Sequence, residues 1–346
     1  KTQVFFSPSS DHVCTRSEHV SYVDSISNTI ANYLGLNTEL TKAIAVSHDI
    51  GHSPFGHKGE KVLNEISLRD IGQSFWHEKN GVHFVDDIEL LEDANGDLKN
   101  LDLTYAVRDG IISHCGEIDE NSLKPRSQAI DLKDYTKPNE YSPYTWEACV
   151  VKISDKISYI GRDIEDAFHL NLLNNEKLEE LKNILGIQNK EALNNPNIIN
   201  ELIIDICNNS TIEKGICFST EKLNLINKIK EFNYNNIYSH PRLDASNEYF
   251  KIIINRIYNT LKNAYDKENT LSNLEELKKF YPQTIIRFKD WLHKYWNLTD
   301  RTNTNLKNKI IYDYTNPQDY YKAIIDFIAG MTDNYAIDMY NEIVSF

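Results

Sequence analysis

The run His48-Asp49-Ile50-Gly51-His52-Ser53-Pro54-Phe55-Gly56-His57-Lys58-Gly59-Glu60 constrains the fold more than any other part of the chain. Ahead of it Leu40, Ala43, Ile44 and Ser47 recur at helical spacing, so a helix delivers His48 and Asp49 at its end, and Gly51 and Pro54 then break it. Around those breaks sit three histidines and two carboxylates, a density of metal-binding and proton-transferring groups that an ordinary loop does not need. The run reads as an active site. An imidazole and a carboxylate adjacent at a helix end can face one divalent cation, provided other elements complete the shell.

Helices dominate the rest of the chain. Thr15 and Glu18 have the spacing of a capping box, and Val20, Val23, Ile26, Ile30 and Leu34 follow at helical spacing, with Gly35 where a C-terminal cap is expected. Residues 125–143 carry prolines and mixed charge with little periodicity, which predicts a long loop before a helix that starts near Trp146. On that helix Ile153, Ile157, Ile160, Ile164 and Phe168 gather on one side, at about 100° per residue. Asp155, Lys156, Tyr159, Asp163 and Asp166 gather on the other. Alone, this polar side reads as a solvated surface; with His48 and Asp49 upstream it reads as part of a site. Residues 171–236 are rich in Asn, Lys, Glu and Ile and carry no recognisable chemistry. Tyr249, Ile252, Ile253, Ile257 and Leu261 have core spacing, and an apolar segment over residues 323–336 ends the fold. There is no internal repeat and no clear domain boundary. The expected class is all-α.

Composition narrows the function. A 346-residue chain with 40% hydrophobic and 25% charged residues can bury a substantial core. No apolar run approaches the ~20 residues of a membrane helix. The net charge of −14 argues against nucleic acid as the main partner, because that affinity comes from cations neutralising phosphates. The five cysteines are odd in number and lack CxxC spacing, which fits reduced thiols in a cytoplasm. The start at Lys1, without a methionine, suggests that N-terminal residues are missing.

His19 upstream and Asp155 downstream offer the two further ligands that the His48-Asp49 pair needs. The order His, His-Asp, distant Asp resembles the ligand pattern of the HD phosphohydrolase superfamily. Further strings narrow the resemblance: Lys1-Thr2-Gln3-Val4-Phe5, Thr15-Arg16 before His19, residues 48–60, Val107-Arg108-Asp109-Gly110-Ile111 before His114, Asp155-Lys156 with Tyr159 and Asp163, and Ile328-Ala329-Gly330-Met331-Thr332-Asp333. In that order they resemble the deoxyguanosine triphosphate triphosphohydrolase branch. The resemblance implies an all-helical HD fold, a catalytic core over residues 1–170 and a helical extension over 171–346 that completes the same globular unit. It also implies hydrolysis of deoxynucleoside triphosphates to deoxynucleoside and inorganic triphosphate, frequent homo-oligomers, and one divalent metal ion, for which Mn, Fe, Mg, Co and Ni are equally suitable.

Roles follow from the resemblance residue by residue. His19, His48, Asp49 and Asp155 would hold the metal, leaving positions for water and a phosphate oxygen. His52 would be the leading catalytic acid or base, with Glu60 and His77 tuning its protonation. Arg16 and Lys156 resemble phosphate-binding cations, Tyr159 would pack on the sugar, and Asp163 and Gln3 resemble residues that hold the 3′-hydroxyl. His57 stands between a substrate contact and a structural role, and Met331 reads as packing. The alternatives are another HD enzyme, such as a 5′-deoxynucleotidase or a phosphodiesterase, and a non-catalytic nucleotide sensor.

Overall fold

The computed structural model describes residues 1, 4–6, 13–115, 121–186, 195–298 and 300–345; Gln3 lies outside them. The regular structure of these residues is helical, apart from one two-stranded antiparallel sheet, β1 (Leu90–Glu92) and β2 (Leu98–Asn100), paired Leu91 to Lys99. In chain order the helices are α1 (Arg16–Tyr33), α2 (Thr38–Ser47), α3 (Gly56–Ile71), α4 (His77–His83), α5 (Tyr105–Ser113), α6 (Trp146–His169) and α7 (Asn175–Leu185). Then follow α8 (Asn195–Asn209), α9 (Thr220–Asn233), α10 (Arg242–Lys262), α11 (Thr270–Lys278), α12 (Pro282–Tyr295), α13 (Pro317–Ala329) and α14 (Asp333–Val344). Among the described residues no helix is long and apolar enough to cross a membrane.

The chain forms two compact units that alternate along the sequence. One takes Thr2–Asp49 and Thr104–Ser246; the other takes Lys1, Ile50–Leu103 and Asn247–Phe346.

In the first unit α6 is the central helix, packed against α1, α2, α5, α8 and α9. Ile153, Ile157, Ile160 and Ile164 are buried as the wheel predicts, together with Ile30, Leu202, Ile206 and Ile226. Phe168 departs from the expectation and is 50% exposed, because the last turn of α6 turns Ala167 inward instead. The polar side of α6 is not solvated either: Lys156, Asp163 and Asp166 are buried, and Asp166 Oδ2 accepts the Cys14 amide hydrogen at 3.0 Å. The α1 start is a full capping box between Thr15 and Glu18, and its end passes through Leu34 to Gly35 at φ +72°. The loop over 125–143 is anchored on buried Asp109, which accepts from the Arg126 guanidinium and, at 2.7 Å, from the Tyr144 amide.

In the second unit α3 packs against α13, and α12 against α11, α13 and α14. Carboxylates tie these helices together. Asp70 near the end of α3 accepts from Tyr258 Oη at 2.8 Å and pairs with Lys262 at 2.9 Å, both from α10. Asp326 of α13 accepts from Tyr312 Oη at 2.8 Å, pairs with Lys322, and lies 3.0 Å from His83 Nε2 of α4. On α10 the core stripe is rotated from the expected one. Ile253, Ile257 and Leu261 are buried, but Tyr249 and Ile252 face outward and Phe250, Ile254 and Tyr258 replace them. The apolar stretch over 323–336 spans the end of α13 and the start of α14, which Thr332 caps by accepting the Tyr335 amide. Met331, between them, is buried.

Candidate active site

The first unit gathers four of the expected groups around the C-terminal end of α2. His48 closes that helix, and its Nδ1 lies 2.6 Å from the Ala45 carbonyl oxygen. A carbonyl only accepts, so Nδ1 carries the ring hydrogen and Nε2 is left with its lone pair. Nε2 lies 3.5 Å from Asp49 Oδ1 and 3.9 Å from Asp155 Oδ1. From α1, His19 sets Nε2 2.9 Å from Asp155 Oδ1 and 3.6 Å from Asp49 Oδ2. The ligand atoms of His19, His48 and Asp49 all lie within 4.8 Å of one another. Arg16, buried on the first turn of α1, lies 2.5 Å from Asp49 Oδ2.

The electrostatics of this cluster suit a cation. Burial depresses His48 to a pKa of about 4, and the neighbouring His114 and His19 push the same way against the two aspartates, so the ring is neutral. Its Nε2 is fully buried and has no hydrogen-bond partner among the described residues. A lone pair facing two carboxylate oxygens without a hydrogen between them is repulsive, and a positive ion among them turns each contact attractive. His19 shows the same demand in another form. Burial opposes its charge, yet the hydrogen bond and charge of Asp155 raise its pKa, and burial acting on Asp155 is in turn outweighed by His19. Two imidazole nitrogens and two carboxylates are a donor set that fits a borderline divalent ion.

Farther along α6 the structure places Lys156, buried, and Tyr159, half-buried. Asp163 is buried and accepts the Tyr238 hydroxyl hydrogen at 2.5 Å. Burial raises its pKa to about 7, against the Tyr238 bond and with the help of Asp166. Sequence reasoning missed three residues of this unit. Tyr238 lies in a π-helical turn (Tyr234–Tyr238) that no periodicity announces. Lys152, buried on α6, donates to Ser113 O at 3.0 Å, Cys115 O at 2.5 Å and Asn139 Oδ1 at 2.7 Å. His114, just past α5, lies 3.6 Å from Asp49 Oδ1. Its signal was legible: Ser113-His114 ends an apolar helix just as Ser47-His48 does.

The second unit assembles the other expected groups. Phe55 and Gly56 both take positive φ, +65° and +57°, which starts α3 by a sharp reversal. Phe55 holds this posture by donating its amide hydrogen to Asp333 Oδ1 at 2.8 Å and stacking on Phe250 at 4.4 Å. Gly51 was expected to serve a turn; its real constraint is close approach, since a Cβ there would lie 2.0 Å from the His77 carbonyl oxygen. His77 Nδ1 donates to Glu60 Oε2 at 2.8 Å, and the His77 ring stacks on buried His52 with centroids 3.7 Å apart. His57 is 66% exposed in its side chain and lies 3.7 Å from Glu60 Oε2. Burial would raise the Glu60 pKa, but the two imidazoles outweigh it and hold the carboxyl at about 2. An imidazole pair tied to one permanent carboxylate can hold and pass a proton.

Comparison with known proteins agrees with the helical fold. Residues 16–160 match the HD domain family, a span containing His19, His48, Asp49 and Asp155, and residues 291–342 match the phosphohydrolase-associated domain family. The chain is 31% identical to a deoxyguanosinetriphosphate triphosphohydrolase-like protein of Caldanaerobacter subterraneus subsp. tengcongensis, over 99% of this chain and 78% of that protein. It is 29% identical to a protein of the same description from Clostridium tetani, over 99% and 79%. A third, from Rickettsia bellii, is 27% identical over 100% and 86%.

Proposed function

The chain belongs to the HD-domain deoxyguanosinetriphosphate triphosphohydrolase-like family of phosphohydrolases, and from that premise we propose that it hydrolyses deoxynucleoside triphosphates to deoxynucleoside and inorganic triphosphate. The observation that carries this reading is the buried meeting of His19, His48, Asp49 and Asp155 beside Arg16, with an orphaned His48 Nε2 facing the carboxylates. These four residues would hold one divalent ion, which would supply Lewis-acid charge to the phosphoryl group. Mn, Fe, Mg, Co and Ni all suit the set.

The remaining roles belong to the side chains. Arg16 and Lys156 neutralise the phosphate chain, and Tyr159 and Asp163 seat the deoxyribose, with Gln3 and His57 as further substrate contacts. Water attacks the α-phosphorus, the bond from phosphorus to the 5′-oxygen breaks, and His52 protonates the departing oxygen while Glu60 and His77 set its protonation state. The enzyme works in the cytoplasm as a homo-oligomer.

Reaction in ¹⁸O-labelled water, with the four dNTPs and four NTPs assayed in parallel, tests this reading. The expected result is label in inorganic triphosphate, an unlabelled deoxynucleoside and a preference for dNTPs. Pyrophosphate with a nucleoside monophosphate, or single phosphate with a diphosphate, overturns it.

A further inference from the structure

Helices α2 and α5 end in the same way. Ser47 Oγ donates to the Ala43 carbonyl at 2.6 Å, and Ser113 Oγ to the Asp109 carbonyl at 2.6 Å. The next residue in each case is a buried histidine bonded to the carbonyl three residues back, His48 to Ala45 at 2.6 Å and His114 to Ile111 at 2.7 Å. Both rings therefore carry the hydrogen on Nδ1, and in the neutral form both present a lone pair at Nε2.

Those two lone pairs converge. His48 Nε2 and His114 Nε2 lie 3.5 Å and 3.6 Å from the same oxygen, Asp49 Oδ1, with the rings edge-on at 4.9 Å. The ligand atoms of His48, His114 and Asp155 lie within 4.8 Å of one another. His114 is only 1% exposed, so the cluster it joins lies inside the unit. The Cys115 Sγ sits 3.2 Å from the same Nε2, and a thiol is a weak donor that adds no charge. Two ligands of one ion at about 2.1 Å each are at most about 4.2 Å apart, and the spacing from His114 Nε2 to Asp49 Oδ1 falls within that limit.

We propose that His114 is a fifth protein donor to the ion held by His19, His48, Asp49 and Asp155, which makes the centre a three-histidine, two-carboxylate site. The inference rests on the metal-binding reading above. A third imidazole shifts the donor set toward nitrogen and so toward Fe, Co and Ni over Mg.

Cobalt(II) alone tests this without an assay of activity. The full chain is stripped with a chelator, reloaded with Co(II), and compared with His114→Ala and His114→Gln, with circular dichroism as the check on folding. Wild type is expected to bind one Co(II) and to show three strongly shifted, solvent-exchangeable imidazole proton resonances. Each variant is expected to show two, with affinity lowered about tenfold or more. Two such resonances in wild type, three persisting in either folded variant, or two Co(II) ions per chain overturns the inference. A wild type that binds no Co(II) overturns the metal reading itself, whereas tight binding with an unchanged resonance count in the variants removes His114 alone.

Discussion

Tyr238 donates its hydroxyl hydrogen to Asp163 Oδ2 at 2.5 Å, a half-buried phenol serving a buried carboxyl. That single bond does not outweigh burial, and the Asp163 pKa stands at about 7, against an ordinary 3.8. Below about pH 4 the group is protonated in folded and unfolded chains alike. From there up to about pH 7 the unfolded chain loses the proton that the folded one keeps. Stability therefore falls as pH rises across this window, by at most about 1.4 kcal/mol per pH unit from this residue, and levels off above it. Asp163→Asn cannot ionise. Urea unfolding of the two proteins across the window should give curves that diverge in favour of the variant as pH rises; parallel curves would sink the argument.

Removing one ligand should empty the metal centre. Asp155→Ala removes the carboxylate that lies 2.9 Å from His19 Nε2 and 3.9 Å from His48 Nε2, so elemental analysis should show metal loss while circular dichroism keeps the helical signal. Chelation of wild type should lower its stability by about 2.7 kcal/mol relative to a sample with the ion at 100 times its Kd. Full occupancy in the variant would take Asp155 out of the shell.

His52→Ala should separate chemistry from binding. The variant should keep its metal and its nucleotide affinity but lose turnover by ~10² to 10⁴, the range of general acid or base assistance. His77→Ala should act in the same direction more weakly, since its ring stacks on His52. A loss under about threefold in the His52 variant would show that the proton travels by another group.

Gly51→Ala should cost roughly 1–3 kcal/mol or more, as overpacking does when backbone rather than a flexible side chain must move. The added methyl would meet the His77 carbonyl at 2.0 Å and the Gly81 amide nitrogen at 2.2 Å, so α4 must shift. Urea unfolding measures the cost. An unchanged midpoint would mean that the segment around α4 yields freely.

Local chemistry was legible in the sequence where it depends on neighbours a few residues apart. The Thr15–Glu18 box, the helix ending at His48 and the apolar side of α6 follow from backbone bonding and a 3.6-residue period, which are written in adjacent letters. What was not legible is what covers a face. Alone the polar side of α6 reads as solvated, and His48 and Asp49 upstream turn that reading toward a site, but the burial of Lys156, Asp163 and Asp166 depends on α1 and the π-helical turn at Tyr238, which pack on α6. The α10 stripe was misplaced for the same reason: Tyr249 and Phe250 are both apolar, and only the packing partner decides which of them turns inward. For His114 the Ser-His helix end was legible, but that it meets the same carboxylate as His48 appears only in the fold.

The ammonium of Lys152 binds the end of α5, through Ser113 and Cys115, to Asn139 in the long loop. A buried charge with three acceptors cannot release one of them cheaply, because the released acceptor and the ammonium would both be left short of a partner away from water. Seen by hydrogen exchange, the last turn of α5, the loop around residue 139 and the second turn of α6 therefore form one opening unit. Their amides should lose protection together and with one free energy, and Lys152→Met should loosen them as a block while leaving α9 and its neighbours as slow as before.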